Sequence, residues 1–270
     1  MLIATWLNGN IINCLEVQER AFAYGDGIFS TILVQNGSVK LLDLHWQRIV
    51  LGCQRLAIAL TNIKQWQNDF ATFIAQYPHC TAKIIITRGS GGRGYLPDIQ
   101  AEPHCYFYAY QTSTHPNDYQ LGIKSDFLHQ RLGCNPLLAG LKHLNRLEQV
   151  LLRQELAQLA HPEALVCDIQ GRVIEGVFSN VFMIKEAVLY TPDLHQAGVA
   201  GVMREHILQL ARSLQWTVCI QDLYPEQFLA ADEVFFCNSV YGLWPVKQIQ
   251  GTIWPKTPLT QHLQANLYHV

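Results

Sequence analysis

Lys142 lies in Gly140-Leu141-Lys142-His143-Leu144-Asn145, between the apolar run Pro136–Leu141 and an amphipathic segment. Burial lowers the pKa of a lysine and frees its amine as a nucleophile. The alternative is a stem laid along apolar surface with its head in water. Glu175 closes the stretch Arg172-Val-Ile-Glu175-Gly176. A carboxylate there either ends a strand at the surface or partners a protonated ring nitrogen. Three elements could hold an anion. His45 and Arg48 are three apart and share a helix face. Gly198-Val199-Ala200-Gly201 opens a helix, whose free N–H groups and dipole favour negative charge. Asn238 and Ser239 follow the strand pattern Glu233–Cys237.

The stretch Gly89-Ser-Gly91-Gly92-Arg-Gly94 fits GxGxxG after a strand. A dinucleotide site needs a helix immediately after the glycines, facing the pyrophosphate. Tyr95-Leu96-Pro97-Asp98 follows instead, Pro97 opposes a helix, and no acid lies about twenty residues on. The loop does present Arg88 and Arg93 beside Tyr95, and guanidinium forks match carboxylates.

Around these residues, Leu2–Leu7, Asn8–Gly9 and Ile11–Leu15 read as a hairpin, as do Ile28–Val34, Asn36–Gly37 and Val39–Leu42. Asp43 would cap a helix whose stripe is Ile49, Cys53, Leu56 and Leu60. A second helix covers Ile63–Gln76. Ala82–Thr87 and Cys105–Tyr110 are buried-strand patterns. The polar stretch Gln111–Tyr119, with Pro116, marks a linker at 113–118 between a domain at 1–112 and a second at 119–270. In the second, helices are expected over Leu144–Ala160 and Gly201–Leu214. Strands are expected at Ala164–Ile169, Arg172–Ile174, Val181–Ile184, Val188–Thr191, Val218–Ile220 and Glu233–Cys237. Strand runs without regular βαβ alternation indicate an α+β fold.

The 270 residues are 49% hydrophobic and 15% charged, which suffices for a large core and excludes a disordered chain. A net charge of −2 lacks the basic field of a nucleic-acid binder. No apolar run is long enough to span a membrane, and the N-terminal residues do not resemble a signal peptide. The eight cysteines are dispersed without a CxxC, which fits reduced thiols in a cytoplasm. The eleven histidines are equally scattered, so no metal is expected.

Taken together, the chain resembles the fold-type IV pyridoxal-phosphate family, which includes branched-chain and D-amino-acid aminotransferases and aminodeoxychorismate lyases. The resemblance runs from Arg20 to about Val246. It is carried by Arg20-Ala-Phe-Ala-Tyr-Gly25-Asp26-Gly27, by Leu41 to Arg48, by Lys142, by Glu175 to Phe182 and by Gly198–Arg204. The loop Arg88–Tyr95 and the segment Asn135–Val150 are most similar to the lyases. The resemblance implies a small N-terminal α/β sandwich, a larger C-terminal pseudo-barrel, a homodimer and pyridoxal 5'-phosphate as cofactor. It implies that Lys142 bonds the cofactor covalently and that Glu175 pairs with its pyridine nitrogen. Arg48, the backbone of Val199 and Ala200, and Asn238 with Ser239 would hold its phosphate. Asn180 belongs to the same cofactor-side motif. Arg93 and Tyr95, with Arg88, would meet a substrate carboxylate, and Phe29 stands where some relatives carry a tyrosine. The implied reaction takes 4-amino-4-deoxychorismate to 4-aminobenzoate and pyruvate, with D-amino-acid or branched-chain amino transfer as the alternative.

Overall fold

The structure, a computed structural model, describes residues 1–113 and 115–267. The linker expected at 113–118 takes in Thr114, which lies outside the described residues. The chain divides into two compact units. One takes the chain up to residue 113 together with Lys142–Asn145; the other takes His115–Leu141 and the chain from Arg146 onward.

The first unit contains β1 (Leu2–Leu7), β2 (Asn10–Ile11), α1 (Arg20–Tyr24), β3 (Gly27–Gln35), β4 (Ser38–Val39), α2 (Leu42–Arg55), α3 (Ile63–Gln76), β5 (Cys80–Thr87) and β6 (His104–Tyr110). The strands form one antiparallel sheet in the order β2-β1-β6-β5-β3-β4. Strand alternation gives the sheet two faces. Ile28, Ile32, Ala82, Ile84, Ile86, Cys105 and Phe107 share a core with Trp46, Ile49 and Cys53 of α2 and Trp66, Phe70 and Phe73 of α3. Each large side chain buried there contributes about 1.5–3 kcal/mol. The other face carries Phe29 opposite Ile85, Thr31 opposite Lys83, Ile85 opposite Tyr106 and Lys83 opposite Tyr108. Asp43 is not the cap of α2: Leu41 takes that place in the left-handed region, and Asp43 sits in the first turn, where the dipole favours an acid. The helix ends at Arg55, before Leu60.

In the second unit, a 3₁₀ turn at Asn117–Leu121 precedes β7 (Ile123–Ser125), α4 (Leu147–Leu159), β8 (Leu165–Cys167), β9 (Val173–Gly176), β10 (Asn180–Lys185) and β11 (Val188–Pro192). Then come α5 (Val202–Ser213), β12 (Val218–Gln221), α6 (Pro225–Leu229), β13 (Glu233–Asn238), β14 (Gly242–Ile249), β15 (Thr252–Ile253) and α7 (Pro258–Asn266). The main sheet runs β12-β11-β10-β13-β14-β15, with β7 parallel to β14. A separate ribbon joins β8 to β9. Val181, Met183, Val234, Phe236, Trp244 and Val246 are among its core. Helices and mostly antiparallel sheets make this an α+β protein, as expected.

Candidate active site

Lys142 is positioned by strand pairing rather than by a helix. Helix α4 starts at Leu147, not at Leu144, because residues 142–144 pair with the start of β3. Phe29 N–H donates to the Lys142 carbonyl at 2.9 Å, Leu144 N–H donates to the Gly27 carbonyl at 3.0 Å, and His143 lies opposite Ile28. A Cβ on Gly27 would collide with the Ile86 carbonyl and the Leu144 side chain, so glycine is needed for this approach. Opposed residues of an antiparallel pair project to one face, and Lys142 opposes Phe29. Its Nζ lies 4.7 Å from the Phe29 ring centroid. Lys83 Nζ lies 4.2 Å from the same centroid, and burial pulls its pKa below the usual lysine range. Lys83 was not singled out by sequence reasoning; strand alternation alone places it on this face.

On the core side of β3, Arg48 Nη2 donates to Ser30 Oγ at 2.5 Å. A guanidinium can only donate, so Ser30 Oγ accepts from Arg48, and it also shares a hydrogen bond with His45 Nδ1, 2.7 Å away. Burial, reinforced by the charges of Arg48 and Lys142, holds His45 well below the usual histidine range. His45 is therefore neutral, and it orients Ser30 beneath Arg48.

The arginine loop divides into two roles. Arg88 is not available to a substrate carboxylate. Its Nε and Nη2 donate to Asp26 at 2.8 and 3.1 Å, and its guanidinium also reaches the carbonyls of Ala57 and Leu56. Arg20 Nε donates to the same Asp26 at 2.9 Å. Burial opposes the Asp26 carboxylate, and the hydrogen bonds and charges of Arg88 and Arg20 overcome it, holding its pKa below the usual range. The reason is chain position: Arg88 directly follows β5, where its N–H also bonds the Asp26 carbonyl. Arg93 and Tyr95 are exposed. The loop around them is tethered by Arg20, which donates to the carbonyls of Gly94 and Tyr95, and by the Tyr24 hydroxyl, which accepts from Gly94 N–H. Arg88→Met strands Asp26 with one guanidinium. It should cost about 3 kcal/mol in denaturant unfolding while leaving the Michaelis constant unchanged.

In the second unit, Glu175 is the penultimate residue of β9 and is buried; its Oε2 accepts the Val199 N–H at 2.9 Å. Arg146 donates to the Leu141 carbonyl at 2.7 Å. Burial lowers its pKa, and the charges of Glu175 and Glu148 oppose that. Asn180 opens β10 and buckles the loop that precedes α5: its Nδ2 donates to the Val199 carbonyl at 2.8 Å, and its Oδ1 accepts Gly201 N–H at 3.1 Å. A Cβ on Gly201 would fall onto that Asn180 oxygen.

This arrangement engages the two amides that the resemblance offered as phosphate donors. The Val199 N–H is taken by Glu175, and the Ala200 N–H by the Gly140 carbonyl at 3.0 Å. Helix α5 begins at Val202 without a side-chain cap. Among the described residues, no acceptor meets the N–H groups of Val202 or Met203, although both residues are buried. The first N–H groups of a helix have no intrahelical acceptor and favour negative charge, so these two fit a phosphate. The helix starts at Val202, directly after the second of the glycines that the sequence marked. Asn238 is likewise engaged: its oxygen accepts from Val240 and Tyr241 N–H, and its amide donates to the Phe178 carbonyl at 3.3 Å. Ser239 stands in the turn after β13.

Residues 27–249 match the amino-transferase class IV family, and the chain belongs to it. Among relatives, an aminodeoxychorismate lyase of Vibrio harveyi is 35% identical over 97% of this chain and 98% of its own. A D-alanine aminotransferase of Bacillus licheniformis is 26% identical over 94% of this chain and 90% of its own. Among solved structures, a 4-amino-4-deoxychorismate lyase from Pseudomonas aeruginosa is 41% identical with a TM-score of 0.94, covering 98% of both chains. A branched-chain amino acid aminotransferase of Escherichia coli shares the fold at 21% identity and a TM-score of 0.87, over 100% of this chain and 95% of its own.

Proposed function

We propose that this protein is a pyridoxal-phosphate-dependent lyase that converts 4-amino-4-deoxychorismate into 4-aminobenzoate and pyruvate, a step toward folate. The observation that carries this reading is near-full-length similarity to lyases at 35% and 41% identity, against 26% and 21% for the two aminotransferases.

Pyridoxal phosphate, when bound, supplies an aldehyde for amine capture and a conjugated ring that accepts electrons. Lys142 provides the amine that bonds it, and once displaced by substrate serves as the base. It removes the proton from the ring carbon bearing the substrate amine. The enolpyruvyl ether on the neighbouring carbon would then depart as enolpyruvate and the ring would become aromatic; uptake of one proton at the enol's methylene carbon, balancing the one removed from the ring, would give pyruvate. Glu175 pairs with the pyridine nitrogen. Arg48, the amides of Val202 and Met203, and Ser239 bind phosphate oxygens. Asn180 acts as the buckle that presents those amides.

The substrate carries two carboxylates. With Arg88 committed to Asp26, we assign them to Lys83, whose Nζ lies over the same Phe29 ring as that of Lys142, and to Arg93 with Tyr95. A charge-assisted hydrogen bond is worth about 1.5–3 kcal/mol. Lys83→Met and Arg93→Met should therefore each lower kcat/KM roughly ten- to a hundredfold, mostly through KM. Unchanged KM in both would reassign the carboxylates.

A homodimer is supported by the apolar side chains that the first unit exposes, Val17, Phe22, Leu96 and Ile99 among them. A reducing, cytoplasmic setting is supported by eight free cysteines. Among the described residues, no helix is long and apolar enough to cross a membrane.

The deciding assay incubates purified protein and cofactor with 4-amino-4-deoxychorismate and measures pyruvate and 4-aminobenzoate together. Equimolar release supports the lyase. Amino transfer from D-alanine or a branched-chain amino acid, without pyruvate release from aminodeoxychorismate, overturns it.

A further inference from the structure

Glu163 takes no part in the reaction as assigned above, yet it is completely buried. It sits two residues before β8 and reaches across to the turn at 176–179, which joins β9 to β10. Its Oε1 accepts N–H groups from Ala164 at 3.0 Å and Val177 at 2.8 Å. Its Oε2 accepts the Phe178 N–H at 3.4 Å and the Ser179 hydroxyl at 2.5 Å. Among the described residues no cation pairs with it. Burial outweighs these four donors and pushes its pKa up to about 7. A buried carboxyl without a cation is costly, so its neighbours indicate what it is kept for.

The turn that Glu163 grips is also tied by Gly176 N–H to the Ser179 carbonyl at 2.7 Å and by the Asn238 amide to the Phe178 carbonyl at 3.3 Å. A Cβ on Gly176 would press on the Ser179 hydroxyl and the Glu163 carboxyl, which shows how closely the carboxyl seats against the turn. The residues that flank the turn are Glu175 and Asn180. Both reach the same short loop: Glu175 accepts from Val199 N–H, and Asn180 holds the Val199 carbonyl and Gly201 N–H. That loop delivers the start of α5. A shift of the turn therefore moves two clamps at once, together with the unpaired amides of Val202 and Met203.

We propose that Glu163 is a positioning residue: by holding the 176–179 turn it fixes Glu175 and Asn180, and through them the amides that open α5. This rests on the assignment of those amides to the cofactor phosphate.

The test compares wild type with Glu163→Leu, which removes every acceptor, Glu163→Gln, which keeps one, and Ser179→Ala, which removes one donor without touching charge. Pyridoxal phosphate affinity is titrated by absorbance, and amide hydrogen exchange is followed without cofactor. Glu163→Leu should weaken affinity tenfold or more and speed exchange at 177–180 and 199–203 by a similar factor. Strands β5 and β6 should exchange as in wild type. Glu163→Gln and Ser179→Ala should shift both readouts in the same direction by less, and they carry the test should Glu163→Leu fail to fold. Unchanged affinity and unchanged exchange at 199–203 would overturn the proposal. So would uniform acceleration across the whole second unit, the mark of a general core residue. A wild-type protein that takes up no cofactor would instead remove the functional reading, while the exchange data would still judge Glu163.

Discussion

Lys142→Ala should abolish turnover, with a loss of roughly four orders of magnitude or more, because one side chain supplies both the covalent amine and the base. The fold should survive. The 142–144 segment is held to β3 by backbone hydrogen bonds, which do not depend on the side chain. Nζ packs over the Phe29 ring, so alanine removes an apolar stem and a cation–ring contact worth about 0.5–2 kcal/mol. Three measurements check this: pyruvate release, the visible absorbance of the purified protein, and borohydride reduction followed by peptide mapping. In wild type, reduction should fix the cofactor to the peptide containing Lys142. In the variant, that attachment and the absorbance should both be lost. The presence of Lys83 over the same ring makes a second outcome informative. If reduction of the variant marked Lys83 and turnover persisted, the reacting amine would belong to Lys83. Full activity with neither lysine labelled would end the covalent assignment.

What could be read from the sequence follows from how far each feature depends on distant contacts. The hairpin turns at Asn8–Gly9 and Asn36–Gly37, the buried strand at Ala82–Thr87 and the helix at Ile63–Gln76 carry their signals locally, and the structure forms elements at each. Lys142, Glu175 and the glycines at 198 and 201 also draw attention through local context alone, an amine and a carboxylate beside apolar runs and a glycine pair before a helix. What local pattern could not give is the partner. Arg88 and Arg93 are chemically alike in sequence, and only the pairing of β3 with β5 brings Asp26 under Arg88. Lys83 reads as one polar residue in an apolar strand until register sets it beside Phe29. The start of α5 falls beyond the glycines because a glycine pair marks a helix start only to within a few residues. Val199 is spent on a carboxylate 24 residues earlier in the chain. Strand β14 has no counterpart among the expected strands; it carries Pro245, a residue that argues against a strand, opposite Phe235.

Glu175→Gln should keep the cofactor and lose rate, by about 10²- to 10³-fold in kcat, the range for removing one electrostatic stabiliser of a transition state. The substitution is nearly isosteric, and a glutamine oxygen can still accept the Val199 N–H. The loop before α5, and with it the phosphate amides, should therefore stay in place. What disappears is the negative charge. A protonated pyridine nitrogen draws electrons from the reacting carbon far better than a neutral one, and an anionic partner favours the protonated form. Glutamine can donate to that nitrogen and so favours the neutral form. The nearby Arg146 sharpens the expectation: the charges of Glu175 and Glu148 favour its charged form against burial, and the variant removes one of the two. Cofactor affinity should change little, KM should change little, and kcat should fall. Unaltered kcat in Glu175→Gln would place the nitrogen's partner on another residue. A large loss of cofactor affinity, with rate preserved at saturating cofactor, would make Glu175 a clamp for the loop at Val199 and nothing more.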